Sequence, residues 1–115
     1  MPAERREISD GALVLRTERE GKRHRISLSG ELDLANSATV EAELETALAD
    51  GECELVVDMR ELEFIDSTGI ALLVATLGRD DPERPRVRFM PSSHTAVTRV
   101  LDLTGLGERL PLAEA

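Results

Sequence analysis

Residues 55–78, LVVDMRELEFIDSTGIALLVATLG, contain the pattern that decides the fold. They open with Leu55-Val56-Val57, a short apolar run between charged residues, which is typical of a buried central strand. A polar loop is predicted over Asp58 to Ile65. A helix is predicted from about Gly69 to Leu77, and because it is apolar almost all round it should be heavily buried. The face expected to point inward carries Ile70, Leu73, Val74 and Leu77.

The residues before this stretch predict a hairpin and a first helix. Residues 1–10 are polar and are expected to be loose. A hairpin signal covers residues 13–29, with a turn at Glu20-Gly21-Lys22. A helix then begins at Asn36 or Ser37, both of which are good N-cap residues. Its predicted inward positions are Val40, Leu44, Ala47 and Leu48.

The residues after the stretch predict one more strand and one more helix. Val87 to Met90 is a short apolar run that ends at Pro91, and a third helix is expected from about Ser93 to Asp102. The order of elements predicts an α/β fold, with a mixed sheet of about four strands covered by helices. The chain has 115 residues, so we expect a single domain over residues 1–115.

Composition excludes several classes of function. The chain has 23 acidic and 14 basic residues, and its net charge of -9 repels nucleic acid and anionic membranes. Cys53 is the single cysteine, which fits a reducing compartment. No segment has the apolar length of a signal peptide or a membrane span. We therefore expect a cytoplasmic protein that has no nucleic-acid or membrane partner.

Asp66-Ser67-Thr68-Gly69 places two hydroxyl groups in the turn that begins the apolar helix. The start of a helix presents backbone N–H groups and the positive end of the helix dipole, so a phosphate on Ser67 would find donors there. Asp66 is a candidate N-cap, and Gly69 would let another surface approach the backbone closely. The same residues also fit an ordinary capped helix with a polar first turn.

Catalysis and metal binding find little support in the sequence. A nucleophile elbow around Ser67 would need a glycine two positions earlier, where the chain has Ile65. The two histidines, His24 and His94, fall in a predicted strand and near a predicted helix start. The carboxylates at positions 80, 81 and 83 lack the spacing of a calcium loop, and no glycine-rich phosphate loop occurs. We predict a protein that is not an enzyme and has no cofactor and no metal site.

Four segments of the chain resemble those of one known family. They are Leu28-Ser29-Gly30-Glu31-Leu32-Asp33, Leu55-Val56-Val57-Asp58, Phe64-Ile65-Asp66-Ser67-Thr68-Gly69-Ile70 and Val100-Leu101-Asp102-Leu103-Thr104-Gly105-Leu106. In this order and at this spacing, the chain is similar to a STAS domain of the anti-sigma factor antagonist (anti-anti-sigma factor) family over roughly residues 10–110. The resemblance implies a mixed sheet with helices packed mainly on one side.

The resemblance also implies a function by partner switching in transcription regulation. The unphosphorylated antagonist would bind an anti-sigma factor that is a GHKL-type serine kinase, and a sigma factor would thereby be released. The kinase would phosphorylate Ser67 to end the binding, and a PP2C-type phosphatase would reverse this step. By position, the partner-binding residues would be Asp66, Ser67, Thr68, Gly69, Glu31 and Asp33.

Two alternatives stay open within the resemblance. Thr68 stands where relatives more often have serine, so the chain offers a second hydroxyl as a possible phosphate acceptor. The same fold would also suit a STAS subunit of a stressosome-like scaffold or of a lipid-transport ABC complex.

Overall fold

The computed structural model describes residues 4–49, 51, 53–81 and 83–113. These residues form five strands and three helices, which confirms the predicted α/β class. In chain order they are β1 (Glu4–Asp10), β2 (Leu13–Glu20), β3 (Arg23–Leu32), α1 (Ser37–Ala49), β4 (Glu54–Ile65), α2 (Ser67–Gly78), β5 (Val87–Met90) and α3 (Thr95–Leu103).

The strands form one mixed sheet in the order β1-β2-β3-β4-β5. Tight turns make the first three strands antiparallel, whereas helical crossovers make β3, β4 and β5 parallel. One face of β2, β3, β4 and β5 is apolar and buried, and with residues of all three helices it forms one hydrophobic cluster. The strand residues of that face are Leu13, Leu15, Ile26, Leu28, Leu55, Val57, Val87 and Phe89. The helices therefore pack on one side of the sheet, as the resemblance implied.

The sheet has five strands and not about four, because part of the segment expected to be loose forms β1. Residues 4–10 pair with β2 over a continuous register, from Glu4 opposite Arg19 to Asp10 opposite Leu13. Residues 1–3 lie outside the described residues. Six of the seven β1 side chains are polar, so no apolar alternation marked the strand. Its extended conformation comes from backbone pairing with β2, the next strand in the chain, across the turn at residues 11 and 12.

Residues 58–65, predicted as a loop, are wrongly assigned, because they belong to the long strand β4. The buried apolar side chains of this half of the strand are Met59, Leu62 and Ile65. They recur every three residues and not every two, because the register between β3 and β4 shifts twice along this half. A bulged strand loses the period-two pattern by which a strand is recognised in a sequence.

The two longer helices differ in how well their inward faces were predicted. α1 buries Val40, Leu44, Ala47 and Leu48, as expected. In α2 the buried residues are Gly69, Leu72, Leu73 and Thr76. Val74 was expected inside, and 43% of its surface is exposed. A helix that is apolar all round has no polar face to mark its outer side, so its rotation depends on what it packs against.

The carboxyl ends of β3 and β4 lie side by side, with Leu32 opposite Ile65. Gly30 makes this end of β3 possible, since its φ is +100° and a Cβ there would lie 2.1 Å from the carbonyl oxygen of Ala12. The close approach lets the Glu31 N–H donate to that carbonyl over 3.0 Å. The segments that follow β3 and β4 therefore leave the sheet next to each other.

Candidate functional site

Asp66 joins the end of β4 to the start of α2. Its backbone is extended, with φ -102° and ψ -174°, and its carbonyl accepts the N–H of Ile70 at 3.0 Å. One carboxylate oxygen, Oδ1, accepts the backbone N–H of Thr68 at 2.9 Å and of Gly69 at 3.1 Å. Asp66 is therefore the N-cap, as predicted.

The capping bonds change what a phosphate on Ser67 would meet. Backbone N–H groups at the start of the helix were expected to serve as phosphate donors, and the Asp66 carboxylate already holds two of them, those of Thr68 and Gly69. A phosphate would have to displace that carboxylate to reach them. Unless this exchange occurs, the phosphate group projects toward solvent or toward a docked protein.

Ser67 and Thr68 differ in exposure although they are neighbours. Ser67 is the first residue of α2 and is exposed, whereas Thr68 is half-buried. A kinase has to surround an acceptor hydroxyl on several sides, so the exposed hydroxyl is the more accessible acceptor. The geometry therefore favours Ser67 of the two.

Gly69 is buried, and the surface that approaches it belongs to the protein's own core. A Cβ at this position would lie 2.6 Å from Cγ1 of Ile65 and 3.0 Å from Cγ of Leu32. The glycine therefore lets α2 begin directly on the ends of β3 and β4. Its place in the turn supports a role in positioning Ser67, and its contact with a partner stays a prediction.

Glu31 and Asp33 lie beside this turn, where β3 ends and the loop to α1 begins. Glu31 is exposed and pairs in register with Phe64, two residues before Asp66. Asp33 is half-buried, and its Oδ1 accepts the N–H of Ala35 at 3.0 Å. The structure thus brings together the two segments that the sequence predicted as one site.

Leu34 and Asn36 take part in this arrangement and were missed as site residues. The Leu34 N–H donates to Oδ2 of Asp66 at 3.1 Å, so one carboxylate ties the loop to α2. Asn36 is fully buried, accepts the Asp33 N–H at 3.0 Å and donates to the Glu31 carbonyl at 2.9 Å. The run Asp33 to Asn36 has the residue types of a loop that bonds its own backbone, and that was the available signal.

A carboxylate on the open face of the sheet links the two strands that lead to the site. Oδ2 of Asp58 accepts from Arg25 at 2.6 Å and from Arg60 at 2.9 Å, and Oδ1 accepts from Arg60 Nε at 3.0 Å. Burial alone would raise the pKa of Asp58, but the hydrogen bonds from Arg60 and Arg25 outweigh it and lower this pKa to about 2. Asp58 therefore stays charged and ties β4 to β3 over a wide pH range.

The other groups considered in the sequence do not join the site. Ser67 begins α2, whereas His94 precedes α3 as its N-cap residue and His24 lies within β3. Within the described residues, no group of three or more His, Cys, Asp or Glu side chains is arranged to hold a metal ion. Among the residues that the structure describes, no helix is both long enough and apolar enough to cross a membrane.

Comparisons with known proteins agree with the fold and the motifs. A family model described as "Mlab, STAS domain" matches residues 15–113. The anti-sigma-F factor antagonist RsfB of Mycobacterium tuberculosis is 37% identical over 88 residues, which are 76% of this chain and 70% of RsfB. An anti-sigma factor antagonist from Mycobacterium paratuberculosis matches the structure with a TM-score of 0.78 and 27% identity, over 94% of this chain and 92% of that one.

A third similar protein has been solved in two chemical states. The anti-sigma factor antagonist SpoIIAA in its unphosphorylated form matches with a TM-score of 0.71 at 24% identity, over 87% of this chain and 88% of that one. The Bacillus SpoIIAA in the phosphorylated form matches with a TM-score of 0.64 at 24% identity, over 87% of this chain and 91% of that one. Both forms have the fold described here.

Proposed function

Because this chain belongs to the STAS domain family, and within it to the anti-sigma factor antagonists, we propose that it works as a phosphorylation-controlled partner switch. The unphosphorylated protein binds an anti-sigma factor that is a GHKL-type serine kinase, and this binding releases a sigma factor. Phosphorylation of Ser67 ends the binding, and a PP2C-type phosphatase restores it. The switch acts in the cytoplasm and needs no cofactor of its own.

The observation that carries this proposal is the position of the Ser67 hydroxyl. It is exposed at the first residue of a helix whose start is fixed by the Asp66 carboxylate and by the packing of Gly69 on Ile65. A docking protein can reach this hydroxyl without any movement of the core. The half-buried Thr68 is less accessible, which supports Ser67 as the acceptor.

The charge around Ser67 explains how a phosphate would weaken binding. A phosphate adds roughly -1.5 to -2 charges at neutral pH, next to the carboxylate of Asp66. Since the N–H groups of Thr68 and Gly69 are already bonded to Asp66, the added phosphate would compete with that carboxylate for these two donors. In a closed interface it would be desolvated without a counter-charge. A penalty of ~3–4 kcal/mol lowers affinity by two to three decades.

Phosphate transfer from MgATP by the cognate anti-sigma kinase tests the proposal. We expect one phosphate per chain at Ser67, no labelling of Ser67→Ala, and normal labelling of the control Thr68→Val. The unphosphorylated protein and Ser67→Ala should both bind the kinase, and the phosphorylated protein should bind at least about a hundredfold more weakly.

Two results would contradict the proposal. Labelling that persists in Ser67→Ala but disappears in Thr68→Val would move the acceptor to Thr68. Assembly into a particle far larger than a dimer in gel filtration, or capture of a transporter ATPase without any kinase binding, would instead favour a subunit of a stressosome-like scaffold or of a lipid-transport ABC complex.

A further inference from the structure

One face of α2 is exposed along its whole length, and it begins at Ser67. The exposed residues of the helix are Ser67, Ala71, Val74, Ala75 and Gly78. At 100° per residue these positions fall within about 100° of arc, so they form a single face. Val74 is the largest apolar residue on it and is 43% exposed. It lies about 10 Å along the helix axis from Ser67.

This face is unusual for its lack of charge. None of the twelve residues of α2 is charged, although charged residues make up 32% of the chain. A solvent-facing helix surface normally carries charged or polar side chains opposite its buried face. A charge-free outer face is therefore typical of a surface that another protein covers.

Leu34 adds a second exposed apolar side chain at the other side of Ser67. It is 74% exposed, although its loop is well fixed. The Leu34 N–H is bonded to Oδ2 of Asp66 at 3.1 Å, and the next N–H, of Ala35, is bonded to Asp33 at 3.0 Å. Because the backbone is already ordered, a partner that covers Leu34 does not have to order the loop on binding.

Carboxylates border these apolar residues. Glu31 is exposed and Asp33 half-buried at the start of the loop, and the exposed Glu41 and Glu45 of α1 line the groove beside Ala75 of α2, where Glu45 lies 3.9 Å from Arg79. Acidic borders around an apolar centre match a partner surface that has an apolar centre and Lys or Arg at its rim. Such a rim would meet the carboxylates and would leave the centre, where Ser67 lies, without a counter-charge for a phosphate.

We propose that Leu34 and Val74 are the two apolar anchors onto which the anti-sigma factor packs, with Ser67 between them. This inference rests on the proposed function and adds which residues supply the binding free energy. Along the surface, Ser67 comes between the loop that carries Leu34 and the turn of α2 that carries Val74. A phosphate on Ser67 would lie inside the apolar interface that Leu34 and Val74 form with the anti-sigma factor. Phosphorylation of this one residue would therefore weaken the interface as a whole.

Alanine substitutions at the two anchors test the inference against a matched control. Leu103→Ala is the control, because Leu103 is 81% exposed and ends α3, the helix that follows β5 and not the strands that lead to Ser67. Leu34 and Leu103 are mostly exposed, Val74 is 43% exposed, and alanine favours a helix over valine, so each variant should fold. Thermal unfolding checks this directly.

The measurement is the dissociation constant for the anti-sigma kinase, by calorimetric titration of unphosphorylated protein. We expect Leu34→Ala to weaken binding about tenfold or more and Val74→Ala about fivefold, while Leu103→Ala stays within about twofold of the wild type.

If the wild type binds the kinase and all three variants bind it equally well, Leu34 and Val74 are not the anchors, and the proposed function stands. If Leu103→Ala weakens binding as much as Leu34→Ala and Val74→Ala do, the anti-sigma factor is not anchored specifically by Leu34 and Val74, and the inference is wrong. If the wild type itself does not bind, both proposals fail together.

Discussion

At the scale of single residues, the site depends on how Asp66 divides its two carboxylate oxygens. Oδ1 caps α2 through Thr68 and Gly69, and Oδ2 holds the Leu34 N–H of the neighbouring loop. A Glu side chain is one methylene group longer, which places its carboxylate away from the N–H groups at the start of its own helix. An Asn side chain would replace one acceptor oxygen by a donor NH₂ group. One short carboxylate thus sets both the position of Ser67 and the presentation of Leu34.

Gly69→Ala should destabilise the protein by about 1–3 kcal/mol, because its Cβ would be forced against Ile65 and Leu32 in a packed core. Gly78→Ala is the matched control, since the same methyl group at the last residue of α2 meets nothing within 4 Å. We expect it to be neutral or to stabilise the protein by up to about 1 kcal/mol. Urea unfolding of both variants measures the difference, and equal stabilities would show that Gly69 is not closely packed.

At the scale of elements, the bulged strand β4 carries both the sheet and the site. Its first half pairs in parallel with β3 and β5, and its second half continues beside β3 alone until Ile65. Asp58 lies where the two halves meet, and it accepts hydrogen bonds from Arg25 of β3 and Arg60 of β4. The ion cluster therefore links the strands near the register shifts.

The lowered pKa of Asp58 predicts a loss of stability in acid. A group whose pKa is depressed on folding stabilises the native state above its unfolded pKa of about 4, and this contribution is lost as the pH falls through the folded value of about 2. We expect the loss to be at most about 2 kcal/mol, because both arginines are partly exposed and screened by solvent.

The variant Asp58→Asn isolates this contribution from that of the other carboxylates. The stability difference between wild type and Asp58→Asn in urea unfolding should shrink between pH 5 and pH 2, since protonation makes the two chains alike. Glu61→Gln, which changes an exposed carboxylate of the same strand, should show no comparable shrinkage. A constant difference for Asp58→Asn across this range would refute the ion cluster as a source of acid sensitivity.

At the scale of the whole molecule, the proposed switch leaves the fold unchanged. Ser67 is exposed and lies outside the hydrophobic core cluster, so a charge placed there would not disturb the core. Control by surface charge requires no second conformation and no energy stored in the protein.

Ser67→Glu should therefore separate binding from stability. We expect its free energy of unfolding to stay within about 0.5 kcal/mol of the wild type, because the helix dipole favours a negative charge at this position and Asp66 opposes it. Its affinity for the anti-sigma kinase should fall at least tenfold. Asp66→Ala is the contrasting variant, and the loss of its cap should cost about 1–2 kcal/mol of stability. A large destabilisation by Ser67→Glu would mean that release proceeds through unfolding.

The sequence alone determined the α/β class, the N-cap at Asp66, the inward face of α1 and the family, because each depends on neighbouring residues or on short motifs in a fixed order. Tertiary structure alone decided that residues 4–10 form a strand, that β4 continues through its bulges to Ile65, and that Val74 faces outward. The strand at residues 4–10 depends on backbone pairing with β2, which no apolar alternation marks, and the other two features depend on pairing and packing partners far away in the chain. An apolar helix such as α2 has no polar side to fix its rotation, so only the sheet and α1 beneath it determine which face is left for a partner.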